Sequence, residues 1–119
     1  MKVAVVGSRS IIDEVGIVKV LSAYDNITEV VSGGAKGVDS IAEKYAKDSG
    51  IRTNIFLPEW KKYGKRAGFV RNVTLIDNSD MIIAFWDGIS RGTKHSIDYA
   101  NRKGKDVHTW MYKNGKWVL

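Results

Sequence analysis

The chain has 119 residues, 44% hydrophobic and 27% charged, which suits one globular unit with a real core and leaves no room for two. It has no cysteine, so disulfides, thiolate chemistry and cysteine-bound zinc are excluded, and its two histidines, His95 and His108, lack metal-ligand spacing. A net charge of +6 permits a polyanionic partner without requiring one. The apolar run Val3–Val6 is too short for a signal-peptide core or a membrane span. The expectation is therefore a soluble cytoplasmic protein with no membrane partner, folded as a single domain over residues 1–119.

In chain order, Lys2–Val6 is a near-continuous β-branched run, the pattern of a strand buried on both faces of a parallel sheet. It ends at Gly7-Ser8-Arg9. Ser10 with Asp13 three residues later reads as a capping box, and Ile11, Val15, Val18 and Leu21 as the inner stripe of a first helix. Ile27–Ser32 is a second strand. The turn Gly33-Gly34-Ala35-Lys36-Gly37 then leads into a helix whose apolar residues Val38, Ile41, Ala42, Tyr45 and Ala46 recur at helical spacing, with Gly50 as its C-terminal cap.

Thr53–Leu57 is a third strand, stopped by Pro58. Glu59–Gly68 reads as an irregular polar and aromatic insertion, followed or overlapped by a helix with Phe69, Val73 and Ile76 on one face. Met81–Phe85 is a fourth buried strand. Trp86–Thr93 is a glycine-containing turn, and a helix with Thr93, Ile97 and Ala100 inward closes at Lys103-Gly104. Asp106–Met111 is a fifth strand. Asn114-Gly115 is a hairpin signal, folding Trp117-Val118-Leu119 back antiparallel as an edge.

This alternation predicts an α/β fold: a doubly wound Rossmann-like, mostly parallel five-stranded sheet in the order 3-2-1-4-5, with a C-terminal antiparallel hairpin strand. In that order three glycine turns meet at the carboxyl edge of the sheet, where open α/β sheets take ligands. They supply the candidate anion-binding residues Gly7, Ser8 and Arg9; Gly33, Gly34, Lys36 and Gly37; and Gly88, Gly92 and Thr93. Unpaired amides at helix starts and the helix dipole favour phosphate there.

Arg9 and Arg71 have the planar forks that pair with phosphate. Asp39, in the first turn of its helix, either complements the dipole or contacts a ribose or base. Thr93 either bonds phosphate or caps its helix. Trp60, Tyr63 and Trp86 either stack on a base or pack in the fold. Neither a P-loop nor a dinucleotide fingerprint is present, and no nucleophile–base–orienter set appears.

Val5–Arg9, Val31–Asp39, Gly64–Asn72 and Asp80–Thr93 together resemble the SLOG superfamily, and most closely its small single-domain YspA/YpsA-related branch. The Trp60–Gly64 stretch followed by Ala67-Gly68-x-x-Arg71-Asn72 is the most specific part. The resemblance implies a Rossmann-like sheet that binds a nucleotide or nucleotide-derived phosphate ligand as a sensor or binding module. It also implies that Arg71 and Asn72, matching the branch's arginine-asparagine pair, face that ligand.

The Gly-Ser-Arg and Ser-Gly-Gly-Ala-Lys-Gly-Val-Asp segments are similar to the DNA-processing protein A (Smf) family, which implies single-stranded nucleic acid as a further partner. Gly92-Thr93 is similar to the signature of the Lonely Guy phosphoribohydrolases, whose catalytic glutamate stands three residues after the threonine. Here that position is Ser96. A nucleotide-processing hydrolase, with Asp39, Asp87 or His95 as acid–base candidates, is the alternative activity. Relatives in the superfamily commonly pair, so a homo-oligomer is a further expectation. The sequence specifies no cofactor and no metal site.

Overall fold

A computed structural model describes residues 1–113 and 116–118. The elements, in chain order, are β1 (Lys2–Gly7), α1 (Glu14–Ser22), β2 (Glu29–Ser32), α2 (Val38–Asp48), β3 (Arg52–Ile55), α3 (Trp60–Tyr63), a 3₁₀ turn (Gly64–Arg66), α4 (Ala67–Asp77), β4 (Met81–Trp86), α5 (Arg91–Arg102), β5 (Asp106–Lys113) and β6 (Lys116–Val118). They build one sheet in the order β3-β2-β1-β4-β5-β6. The first five strands are parallel, and β6 returns antiparallel on β5. The fold is the α/β Rossmann-like one that the alternation of runs predicts. The Asn114-Gly115 turn and Leu119 lie outside the described residues. No described helix is long and apolar enough to cross a membrane.

Successive residues of the central strands face opposite layers, which is why their sequences are apolar throughout. Val3, Val5, Val30 and Ile83 pack under α1 and α2 with Ile17, Leu21, Val38 and Ala42. Ala4, Val6, Val31, Ile82 and Ala84 face the other way, against Leu75 and Ile76 of α4 and Ala100 of α5.

Four local expectations need correction. The capping box at Ser10 does not form: Asp13 caps α1, accepting the Gly16 amide at 3.0 Å. Its second carboxylate oxygen accepts the indole N–H of Trp117 at 2.9 Å, a partner 104 residues away that no local pattern reveals. The inner stripe of α1 shifts with its start, so Ile17 and Leu21 are buried while Val15 is 80% exposed.

Of Glu59–Gly68, residues 60–68 are helical rather than irregular, formed by α3, the 3₁₀ turn and the start of α4. The buried face of α4 is Ala67, Asn72, Leu75 and Ile76, and Phe69 lies outward. That face carries a polar residue because it reaches the carboxyl edge of the sheet.

Trp117 also meets Phe85 edge-on at 5.1 Å and Tyr112 at 4.5 Å between ring centres. Trp117→Phe keeps most of this packing but removes the donor to Asp13. It should cost about 1 kcal/mol in urea unfolding, the usual value of one such bond. An unchanged midpoint would mean that the bond does not hold the cap.

Candidate functional site

The sheet order sets β1 beside β4, and the turns that follow them are bonded together. The Ser8 amide donates to the Phe85 carbonyl at 3.1 Å, and the Asp87 amide donates to the Ser8 hydroxyl at 3.3 Å. Asp87 then shapes the entry to α5. One of its oxygens accepts the amides of Ile89 and Ser90, both at 2.8 Å, and the other accepts the Ser10 hydroxyl at 3.3 Å. Burial alone would raise this carboxyl. The bonds from Ser90, Ile89, Ser8 and Ser10 together outweigh burial and hold it below the usual carboxylate range.

Ser90 caps α5, its hydroxyl oxygen accepting from the Thr93 amide at 3.5 Å and the Thr93 hydroxyl at 3.2 Å. The first intrahelical bond runs from the Lys94 amide to the Ser90 carbonyl at 3.1 Å. The amides of Arg91 and Gly92 therefore precede the helix ladder. Thr93 is buried, with its hydroxyl engaged in the cap.

The third turn packs against the first. Gly37, at φ 75° and ψ −123°, holds a backbone conformation suited to glycine, and a Cβ there would lie 2.5 Å from the Arg9 carbonyl oxygen. This close approach fixes the Arg9 turn against the start of α2. Two residues on, in the first turn of α2, Asp39 is 7% exposed and accepts the Ala35 amide at 3.2 Å.

Arg71 crosses from α4 to close the arrangement, donating to the Gly33 carbonyl and to Asn72 Oδ1, the latter at 2.9 Å. A side chain at Gly33 would collide with this guanidinium. Asn72 in turn donates to the Gly92 carbonyl at 3.5 Å. The Arg71-Asn72 pair thus ties the β2 turn to the start of α5.

These elements enclose a cleft of about 510 Å³. Gly7, Ser8, Arg9, Asp39, Arg71, Asn72, Gly92 and Thr93 line it. The other candidates lie outside its lining. Gly33 contributes its carbonyl to Arg71, Gly34 lies against Leu57, Lys36 is exposed, Gly37 lies against Arg9, and Gly88 lies near Met111.

Trp60 is on the wall and 56% exposed, whereas Tyr63 and Trp86 are off it. The Trp86 indole donates to the Ser90 carbonyl at 3.1 Å. His95 packs edge-on against Phe69 at 4.6 Å, away from the lining. Burial, then the charge of Arg102, pulls its pKa down against the opposing effect of Asp98. Ser96 lines the cleft, its hydroxyl donating to the Gly92 carbonyl at 3.2 Å.

Sequence reasoning passed over Gly68, Phe69, Leu75 and Ser90 as lining residues. Gly68, Asn72 and Leu75 recur at four and three residues, so continuing the helix from Arg71-Asn72 in both directions would have found that wall.

Electrostatically the cleft is mixed. Burial, foremost, pushes the Asp39 carboxyl up to about 6, against the lowering effects of the Ala35 amide and the Arg71 charge. Arg71 is pulled down, first by burial and in part by Arg9, whose like charge is near enough to be felt, while Asp39 opposes.

Because folding raises Asp39 from 3.8 to about 6, the folded chain holds this proton more tightly than the unfolded chain. Its stabilising contribution is full below about pH 4 and is lost as pH rises through about 6, a span of about 3 kcal/mol. Asp39→Asn should flatten urea-derived stability between about pH 4 and 6.5 relative to the parent. Parallel profiles for the two proteins would contradict this assignment.

Comparison with known proteins places the chain. It is similar to the Gene 61 protein of Mycobacterium phage D29, 33% identical over 84 residues that span 66% of this chain and 67% of that one. The X-ray structure of DNA processing protein A (DprA) from Streptococcus pneumoniae superposes with a TM-score of 0.78 and 25% identity. That superposition covers 91% of this chain but 49% of DprA, so the chain spans about half that protein's length. The profile of the YspA, cpYpsA-related SLOG family matches residues 1–63, which hold the Gly7–Arg9 turn, the Gly33–Gly37 turn and Asp39. The chain belongs to the YspA, cpYpsA-related SLOG family.

Proposed function

We propose that the chain, acting as one domain, is a binding module for a nucleotide or nucleotide-derived phosphate ligand, held in the cleft at the carboxyl edge of the sheet. Family and fold support a nucleotide- or DNA-related binding module in general. One observation carries the finer reading. Two guanidinium groups, Arg9 and Arg71, share a single cleft with the amide-bearing start of α5. Helix amides and arginine forks are complementary to phosphate, and a volume of about 510 Å³ suits a small organic ligand.

In this reading the phosphate lies between Gly7-Ser8-Arg9 and Arg91-Gly92, with Arg71 alongside. Trp60 and Phe69 offer the surface for a base, and Asp39 offers an acceptor for a sugar hydroxyl. Gly33, Gly34, Lys36, Gly37 and Gly88 act indirectly, by allowing the turns to pack. Calorimetric titration with a panel of mono-, di- and cyclic nucleotides tests this. Saturable binding of at least one is expected, and no heat from any at about millimolar concentration contradicts it.

Single-stranded nucleic acid is a second reading, favoured by the likeness to DNA processing protein A and by exposed Lys61, Lys62, Lys65 and Arg66 beside the cleft. It predicts oligonucleotide affinity that falls steeply with salt. A phosphoribohydrolase activity has less support, because Ser96 cannot supply the carboxyl that the hydrolases use. Chromatography of nucleotides after incubation should return them unchanged.

A further inference from the structure

Another concave surface lies at the opposite side of the sheet from β5, where β3 is an edge strand. The amide of Phe56 donates to the Ser32 carbonyl at 2.9 Å. By the two-residue alternation of a ladder, Asn54 also turns toward β2, and the backbone groups of Thr53 and Ile55 point away from the sheet. No bulge or proline interrupts Arg52–Ile55, so the edge is open to pairing. Ile55 is 44% exposed, and Leu57 just beyond it is 66% exposed.

Between this edge and α2 runs a groove of about 710 Å³, lined in part by Glu43, Lys44, Lys47, Ile51, Arg52 and Ile55. The charges in it are not equally available. Glu43 accepts the Ser32 hydroxyl at 2.6 Å, and Lys44 pairs with Glu14 at 3.2 Å. Lys47 and Arg52 form no ion pair among the described residues. The groove therefore presents an unpaired strand edge, exposed aliphatic side chains and two cations that form no ion pair, beside the hydrogen-bonded carboxylate of Glu43.

We propose that this edge docks an extended acidic segment of a partner protein, which adds a strand to β3. The partner's backbone would pair with Thr53 and Ile55, its aliphatic side chains would cover Ile51 and Ile55, and its carboxylates would reach Lys47 and Arg52. A second copy of the chain fits less well, because on a chain of net charge +6 it offers the same cation-bearing edge rather than a row of carboxylates. The inference is independent of what the cleft binds.

The test uses a fluorescein-labelled peptide alternating valine with aspartate or glutamate, read by anisotropy against the whole protein. Two controls accompany it: the same peptide with lysine for each acid, and the acidic peptide N-methylated in two versions, one on each alternate set of amides. Binding of the acidic peptide alone is expected, weakening with added salt.

Lys47→Glu with Arg52→Glu should weaken that binding by about tenfold or more. Thr53→Pro, which removes an outward amide without touching the β2 ladder, should abolish it. Equal binding of both N-methylated versions would overturn strand addition, and would do so even if Thr53→Pro failed to fold. Absence of binding at about 1 mM would overturn the proposal as well. So would a dimer seen by sedimentation that Thr53→Pro disperses, since a second copy would then occupy the edge.

Discussion

Gly37→Ala should lower the melting temperature by about 10 °C or more, through two separable effects. At φ 75° and ψ −123° an L side chain is strained by about 1–3 kcal/mol. The added methyl would also stand 2.5 Å from the Arg9 carbonyl oxygen, a backbone atom that cannot swing aside like a side-chain tip. Together these should cost about 3 kcal/mol or more.

Gly104→Ala separates the two effects. Gly104 has φ 71° with nothing within 4 Å of its added methyl, so only conformational strain of about 1 kcal/mol applies. Equal losses in the two variants would mean that the contact between the α2 start and Arg9 carries no energy. The contact also positions the turn after β1, so Gly37→Ala should weaken nucleotide binding under conditions where it remains folded.

Arg71→Ala should have the largest effect on binding, a fall of about thirtyfold or about 2 kcal/mol for any phosphate-bearing ligand that calorimetry detects. The guanidinium is a single piece that serves three neighbours: the Gly33 carbonyl, Asn72 and Asp39. Removing it also removes a charge that lowers the Asp39 pKa. That carboxyl should then titrate above its present value of about 6, visible in carbon-detected NMR of the Asp39 side chain.

Arg71→Lys restores a charge without the fork, so it should return much of the Asp39 titration and little of the binding. The two readouts keep the assignments apart. A shifted Asp39 with unchanged affinity would leave Arg71 a purely structural residue.

The architecture was legible because parallel strands buried on both faces leave a strong mark. Val3–Val6 and Met81–Phe85 are apolar without alternation, and Val38, Ala42 and Ala46 keep strict helical spacing. Where the outcome depended on partners distant in sequence, local pattern failed. Ser10 and Asp13 looked like a capping box. Instead Asp87 took the Ser10 hydroxyl, and Trp117 joined the Gly16 amide on Asp13.

The same holds at the cleft. Glycine turns show which segments can reach the carboxyl edge, but not whether they face inward. Gly7 and Gly92 line the cleft, while Gly34 and Gly88 provide tight turns elsewhere. The wall from α4 was hidden because Glu59–Gly68 reads as polar and irregular, yet it winds into helix and carries Trp60 and Lys65 to the rim. Asp39 was ambiguous from its place in a first helical turn. Its burial beside Arg71 distinguishes it from an ordinary solvent-exposed dipole acid.

The most direct measurement is a proton–nitrogen NMR titration of the labelled protein with each nucleotide of the calorimetric panel, adenosine monophosphate among them, followed amide by amide. Progressive, saturable shifts at Ser8, Arg9, Arg91, Gly92 and Thr93, absent with adenosine alone, are the predicted result. Shifts confined to the β3 edge or to Lys61–Arg66, or no shifts at about millimolar ligand, would contradict phosphate recognition by the α5 start and the turn after β1.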